Sequence, residues 1–148
     1  MRWIGVLNGP NLNVLGTRQP EIYGSATYEQ LRLGLQGKAG SLGVGVEVFQ
    51  SNHEGELVDR LQAWSAEPDI AGVIVNPAGL GHTSVALRDA CELLPCPFVE
   101  VHLSNVAARE PFRRTSLLSD LARGVVSGLG VFGYEAALEF LARRPDVP

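Results

Sequence analysis

The chain of 148 residues is 45% hydrophobic and 19% charged, enough apolar material for one buried core without a metal or disulfide staple. Twelve basic against sixteen acidic residues leave a net charge of −4, the wrong sign for a nucleic-acid binder that rests on bulk charge. No apolar run approaches membrane-spanning length, residues 1–8 are too short for an export signal, and only Cys91 and Cys96 carry thiols, so the expectation is a reduced, cytoplasmic protein with no membrane or nucleic-acid partner.

Residues 3–7 (WIGVL) read as a buried strand, followed by a long polar loop over residues 8–25. Thr27 is placed to cap a helix over residues 28–42, with Gln30 as its capping-box partner. Residues 44–49 give a second strand, after which Leu57, Val58, Leu61 and Trp64 recur at helical spacing. A third strand covers residues 72–75. Val85, Leu87, Ala90 and Leu94 suit the helix after it, which Pro95 and Pro97 end. Residues 98–101 form a fourth strand, residues 124–129 a weaker fifth, and residues 134–142 a last helix. Residues 143–148 read as a frayed tail. Strands alternating with helices imply right-handed crossovers and a sheet covered on both faces. The expected fold is α/β: a single flavodoxin-like domain, a three-layer sandwich around a five-stranded parallel sheet.

Ligands of such sheets bind beyond the carboxyl ends of the strands. The polar residues crowd there: Asn8, Asn11 and Asn13 after strand one, Asn52, His53 and Glu54 after strand two, Asn76 and His82 after strand three, and His102, Ser104 and Asn105 after strand four. The loop NGPNLNVLGTRQPEIYG, punctuated by Gly16, Pro20 and Gly24, has the length of a binding lid over residues 16–25 and carries Arg18 and Tyr23. It lacks GxGxxG and GxxxxGK[ST], which argues against a nucleotide site. In NPAGLGHTSVALRDA, Thr83 or Ser84 is placed to cap the next helix, while Arg88 and Asp89 read as a solvated helix face. Glu100 puts a carboxylate into an otherwise apolar strand, a costly placement unless hydrogen-bonded. It lies two residues before His102, hence on the same strand face, where it would orient the imidazole directly or through a water. Arg109, Arg113 and Arg114 follow at helical spacing; Arg113 would reach back over the pocket, and Arg114 reads as surface. The three histidines show neither i,i+2 nor i,i+4 spacing and no cysteine stands near, so no metal is expected.

The motifs NGPNLNVLGTRQPEIYG, QSNHEGEL, NPAGLGHTSVALRDA and EVHLSNVAAREPFR, continued by GVVSGLGVFGYEAAL, closely resemble type II 3-dehydroquinate dehydratase over nearly the whole chain. The resemblance implies a cofactor-free hydro-lyase that reversibly dehydrates 3-dehydroquinate to 3-dehydroshikimate through an enolate, in the shikimate pathway or in quinate breakdown. It also implies a homododecamer built from trimers. Carried over, Tyr23 would remove the C2 proton, with Arg18 holding it ionised. His102, supported by Glu100, would protonate the departing C1 hydroxyl, and Asn13 would stabilise the enolate through a water. Asn76, His82, Arg113 and the backbone of Leu103 and Ser104 would hold the substrate, and Asp89 would enter from a neighbouring subunit. Ala107, Leu117 and Asp120 depart from the family pattern at positions without a catalytic role; Asp120 replaces a usual Pro. A non-catalytic relative would keep the fold but lack Tyr23, Arg18 or His102, all of which are present.

Elementary chemistry agrees. Removing a proton beside a ketone and expelling a β-hydroxyl requires a base, an enolate stabiliser and an acid. A phenol, with its usual pKa of about 10, becomes a usable base only where guanidinium groups favour its anion, a task for arginine because it stays charged. The alternative through an imine needs a lysine in the site, and the sole lysine, Lys38, falls midway along the predicted first helix. Turnover of 3-dehydroquinate should therefore survive exhaustive treatment with EDTA; a large loss that only Zn²⁺ restores would overturn the cofactor-free reading.

Overall fold

The computed structural model describes residues 1–17 and 19–143. Arg18 and the tail beyond Arg143, expected to fray, lie outside the described residues. The strands β1 (Trp3–Asn8), β2 (Gly45–Gln50), β3 (Ile70–Asn76), β4 (Phe98–His102) and β5 (Gly124–Ser127) pair in parallel in the order β2-β1-β3-β4-β5. The helices are α1 (Pro20–Tyr23), α2 (Tyr28–Leu42), α3 (Glu54–Ser65), α4 (Val85–Cys91) and α5 (Phe132–Arg143). This is the expected flavodoxin-like arrangement, with strand order reversing between β1 and β3.

Alternation along the strands divides the interior into two layers. On one face Ile4 and Val6 of β1, Ile74 of β3 and Val99 and Val101 of β4 pack against Leu31 and Leu35 of α2 and Leu138 and Leu141 of α5. On the other, Leu7, Val73, Val75 and Phe98 meet Leu57, Leu61 and Trp64 of α3 and Leu87 and Cys91 of α4. β3 is buried at all seven positions, which explains its continuous apolar sequence. Thr27 and Gln30 form the expected capping box at the start of α2: Thr27 Oγ1 accepts from the Gln30 N–H at 3.1 Å, and Gln30 Oε1 accepts from the Thr27 N–H at 2.9 Å. Lys38 of α2 pairs with Glu139 of α5 at 3.3 Å. Among the described residues no helix is long and apolar enough to cross a membrane.

Several boundaries differ from the sequence reading, each for a local reason. The loop after β1 contains a 3-10 turn, Leu12–Val14, and the single turn α1, both too short to show periodicity. Helix α4 stops at Cys91 rather than Leu94, because Pro95 disfavours helical backbone at the residue before it; Leu94 closes on Cys91 O at 3.3 Å instead. The arginines after β4 do not share one helix. Arg109 caps the 3-10 turn Val106–Ala108, and Pro111 opens a separate one, Pro111–Arg114, that carries Arg113 and Arg114. β5 ends at Ser127, where Gly128 turns away at φ 88° and donates its N–H to His102 O at 3.2 Å. Arg143 closes α5, with an ion pair to Glu139 at 3.1 Å.

Two glycines mark the extremes of packing tolerance. A Cβ on Gly5 would lie 2.6 Å from the ring of Trp64, which is buried and tied to Glu47 through its indole N–H. A Cβ on Gly37, on the outer face of α2, would meet nothing within 4 Å. Gly5→Ala should therefore cost about 1–3 kcal/mol in urea unfolding. Gly37→Ala should stabilise by roughly 0.5–1 kcal/mol, because alanine loses less backbone freedom in a helix. Equal effects of the two changes would contradict this packing.

Candidate active site

Asn8 of β1 lies opposite Asn76 of β3, and Val75 lies opposite Glu100 of β4, so the carboxyl ends of the three central strands open side by side. Above them is a cleft of about 140 Å³. The loop after β1 supplies Asn11 and Leu12, α1 supplies Tyr23, and the 3-10 turn Ala78–His82 supplies Gly79 and His82. The chain leaving β4 adds His102, Leu103, Ser104, Arg109 and Arg113. No lining residue among those described is acidic, while two arginines face in. The cleft suits a small anion with polar substituents.

The alternation that buries Val99 and Val101 against α5 turns Glu100 and His102 toward the opposite layer. Glu100 is 1% exposed, and its Oε2 contacts His102 Nε2 directly, with no intervening water needed. Ser119 donates to Oε1 at 2.7 Å and Ser116 to Oε2 at 2.9 Å. Burial alone would push the carboxyl up, but the bonds from His102, Ser119 and Ser116 and the charge of His102 outweigh it and hold it below the usual carboxylate range. A depressed carboxyl contributes stability above its unfolded pKa, near 4.3–4.5, and loses it as pH falls through the lower folded value. With Nε2 engaged by Glu100, Nδ1 is the ring nitrogen left for proton exchange.

His82 stacks on His102, with centroids 6.3 Å apart and planes inclined by 16°. Its Nδ1 lies 2.8 Å from Thr115 O; a carbonyl only accepts, so Nδ1 carries the proton and Nε2 is the free nitrogen of the neutral ring. Beneath the floor, Asn76 Nδ2 donates to Tyr134 Oη at 2.7 Å, and Tyr134 donates to Asn8 Oδ1 at 2.7 Å. Asn76 Oδ1 accepts from the Ala78 N–H at 3.1 Å, which leaves one amide hydrogen of Asn76 for a ligand. Across the cleft, Arg109 holds its guanidinium 5.1 Å above the Tyr23 ring and donates to Ser104 Oγ at 3.3 Å. Arg113 is steadied by Glu110 at 3.1 Å, and Arg114 is exposed.

The structure thus brings together Tyr23, Asn76, His82, His102, Leu103, Ser104 and Arg113, with Glu100 directly behind His102. Asn13 is exposed on its 3-10 turn and Asp89 is exposed on α4; neither lines the cleft of this chain. Asn11 also lines it, its left-handed backbone (φ 74°) fixed by Asn52 Oδ1 accepting from its N–H at 2.8 Å. His53 is exposed beside Glu56 and outside the lining. Among the described residues no three His, Cys, Asp or Glu side chains cluster as a metal site would require. Burial, and secondarily the charge of Glu100, push the Cys91 thiol up to about 12, so it stays neutral.

Some participants were missed in the sequence. Arg109 stands four residues before Arg113, the one signal that it belonged with it. Ser116, Ser119 and Tyr134 gave none beyond the need of a buried carboxylate and two buried amides for partners. Arg88 is not part of a solvated face. It donates to Leu117 O at 2.7 Å and grips Asp120 with two nitrogens at 2.6 and 3.0 Å, fastening the segment that carries both serines. Ser84, rather than Thr83, caps α4, accepting from the Leu87 N–H at 2.8 Å and donating to Glu54.

Comparison with known proteins points the same way. The family profile described as Dehydroquinase class II matches residues 2–142. The 3-dehydroquinate dehydratase of Bordetella petrii is 55% identical over 139 residues, 94% of this chain and 96% of that one. The catabolic 3-dehydroquinase of Aspergillus oryzae is 51% identical over 137 residues, 93% of this chain and 88% of that one. The crystal structure of type II dehydroquinase from Propionibacterium acnes superposes with a TM-score of 0.92 at 41% identity, covering 97% of each chain. The fold, the cleft and the family match agree: this chain belongs to the type II dehydroquinase family.

Proposed function

We propose that the cleft dehydrates 3-dehydroquinate reversibly to 3-dehydroshikimate, with Tyr23 as base, His102 as acid and an enolate between them. The observation that carries this reading is the pairing of two proton carriers around one cleft without acidic lining. Tyr23, with Arg109 over its ring, and a histidine backed by a buried carboxylate both line it.

The Tyr23 phenolate takes the C2 proton, and the C–H electron pair moves into an enolate at the C3 ketone. Asn13, through a water, and Arg18 stabilise the charge that develops. The enolate then expels the C1 hydroxyl, which leaves as water with a proton from His102, and the double bond forms between C1 and C2. Proton return from Tyr23 to His102 through solvent resets the site. Arg113, the backbone at Leu103 and Ser104, the free amide hydrogen of Asn76 and the free Nε2 of His82 hold the carboxylate and hydroxyls. Residues 16–25 close over the bound substrate, and Asp89 completes a neighbour's site in a cytoplasmic homododecamer built from trimers. No cofactor takes part. Lys38, committed to Glu139 and outside the lining, is in no position to form an imine with substrate.

The two roles are separable. Tyr23→Phe should bind substrate yet lose both dehydration and exchange of the C2 proton with solvent deuterium. His102→Ala should lose dehydration by about 10²–10⁴-fold while retaining C2 exchange, because enolate formation precedes loss of water. The opposite pattern, exchange kept in Tyr23→Phe and lost in His102→Ala, would require the roles to be swapped.

A further inference from the structure

We propose that Ser116 and Ser119 are positioning residues of the acid: their hydroxyls hold the Glu100 carboxylate ionised and aligned, so that the proton shared by the pair stays on His102. The proposal rests on the reading of His102 as the acid. It deepens that reading by assigning the device that keeps the acid charged.

Glu100 sits in a poor place for a charge. Its strand neighbour on the same face is Phe98, and Leu118 in the same layer is 0% exposed. In such surroundings a carboxylate–imidazolium pair competes with the neutral pair, in which the Nε2 proton has crossed to the carboxyl group and the neutral ring is a far weaker acid at Nδ1. Hydrogen bonds to the charged form decide that balance. The groups around Glu100 are few: His102 on its own strand, the neutral Cys91 thiol on α4, and the two serines. His82 faces His102 from the turn after β3, and the charged groups that share the cleft lining are Arg109 and Arg113. None of these replaces the serine hydroxyls on the carboxylate.

The serines are themselves fixed. Ser116 Oγ accepts the Leu118 N–H at 3.1 Å, which directs its own proton to Glu100. Leu117 N–H bonds Gly81 O at 2.8 Å, and Arg88 clamps Leu117 O and Asp120. Thr115 of the same segment fixes His82. One short stretch of chain therefore sets both histidines, as a rigid support for an acid should.

The test compares wild type with Ser116→Ala/Ser119→Ala and with Ser119→Thr, which keeps a hydroxyl. In ligand-free protein, ¹⁵N NMR of His102 should shift toward the neutral-ring pattern in the double variant and stay near wild type in Ser119→Thr. In turnover, kcat for dehydration should fall by about 10–100-fold with KM within roughly twofold, and C2 exchange should persist. The acid limb of the kcat profile should rise by about one pH unit, because each lost donor makes the carboxyl easier to protonate. An unchanged His102 signal and acid limb in a folded variant would overturn the proposal, leaving the serines as packing. If the double variant does not fold, Ser119→Ala read against Ser119→Thr decides by the same two measurements. A shifted His102 signal with wild-type dehydration would instead overturn the reading of His102 as the acid, which separates the two failures.

Discussion

A carboxylate buried on a strand costs several kcal/mol unless every lone pair finds a donor, and Glu100 organises its surroundings around that demand. The imidazole of His102 and the hydroxyls of Ser116 and Ser119 converge on it from two separate stretches of chain. Meeting the demand fixes the orientation of the His102 ring and anchors the segment leading to β5. Through Thr115 O it also reaches His82. An expensive local placement thereby orders much of the cleft wall, and its cost is offset by the hydrogen bonds it collects and by the apolar layers on both faces of the sheet.

Topology explains why the wall stands where it does. With β3 central and the order reversing between β1 and β3, the chains leaving these two strands diverge and leave a crevice between them. Asn8 and Asn76 meet at its floor and are tied by the fully buried Tyr134 of α5. Burial raises the Tyr134 phenol above its ordinary range, so it serves as a neutral donor and acceptor between two amides rather than as a proton carrier. Tyr23, by contrast, is half-buried at the end of α1 and lines the cleft beside Arg109.

Much of this was legible in the sequence because it followed from periodicity and polarity. The alternation in VEVH placed Glu100 and His102 on one face, the capping signature at Thr27 and Gln30 set the start of α2, and polar residues at strand exits marked the cleft. What escaped lay in contacts between distant segments. Ser116 and Ser119 sit in a stretch without regular structure, and their partner is sixteen or more residues away. Arg88 and Asp120, thirty-two residues apart, looked like separate surface charges but together form one clasp. The proline at position 111 broke a helical reading of the arginines that their spacing alone supported. Asp120 answers Arg88, and the pair holds the serine-bearing segment in place.

The central claim is that one cleft, lined by a tyrosine and a carboxylate-backed histidine, converts 3-dehydroquinate to its enone. The most direct measurement is absorbance of the conjugated product after mixing the purified chain with 3-dehydroquinate in a metal-free buffer. The account predicts a steady rise to equilibrium with no added cofactor. No product at micromolar enzyme, from a protein that retains its fold, would contradict it.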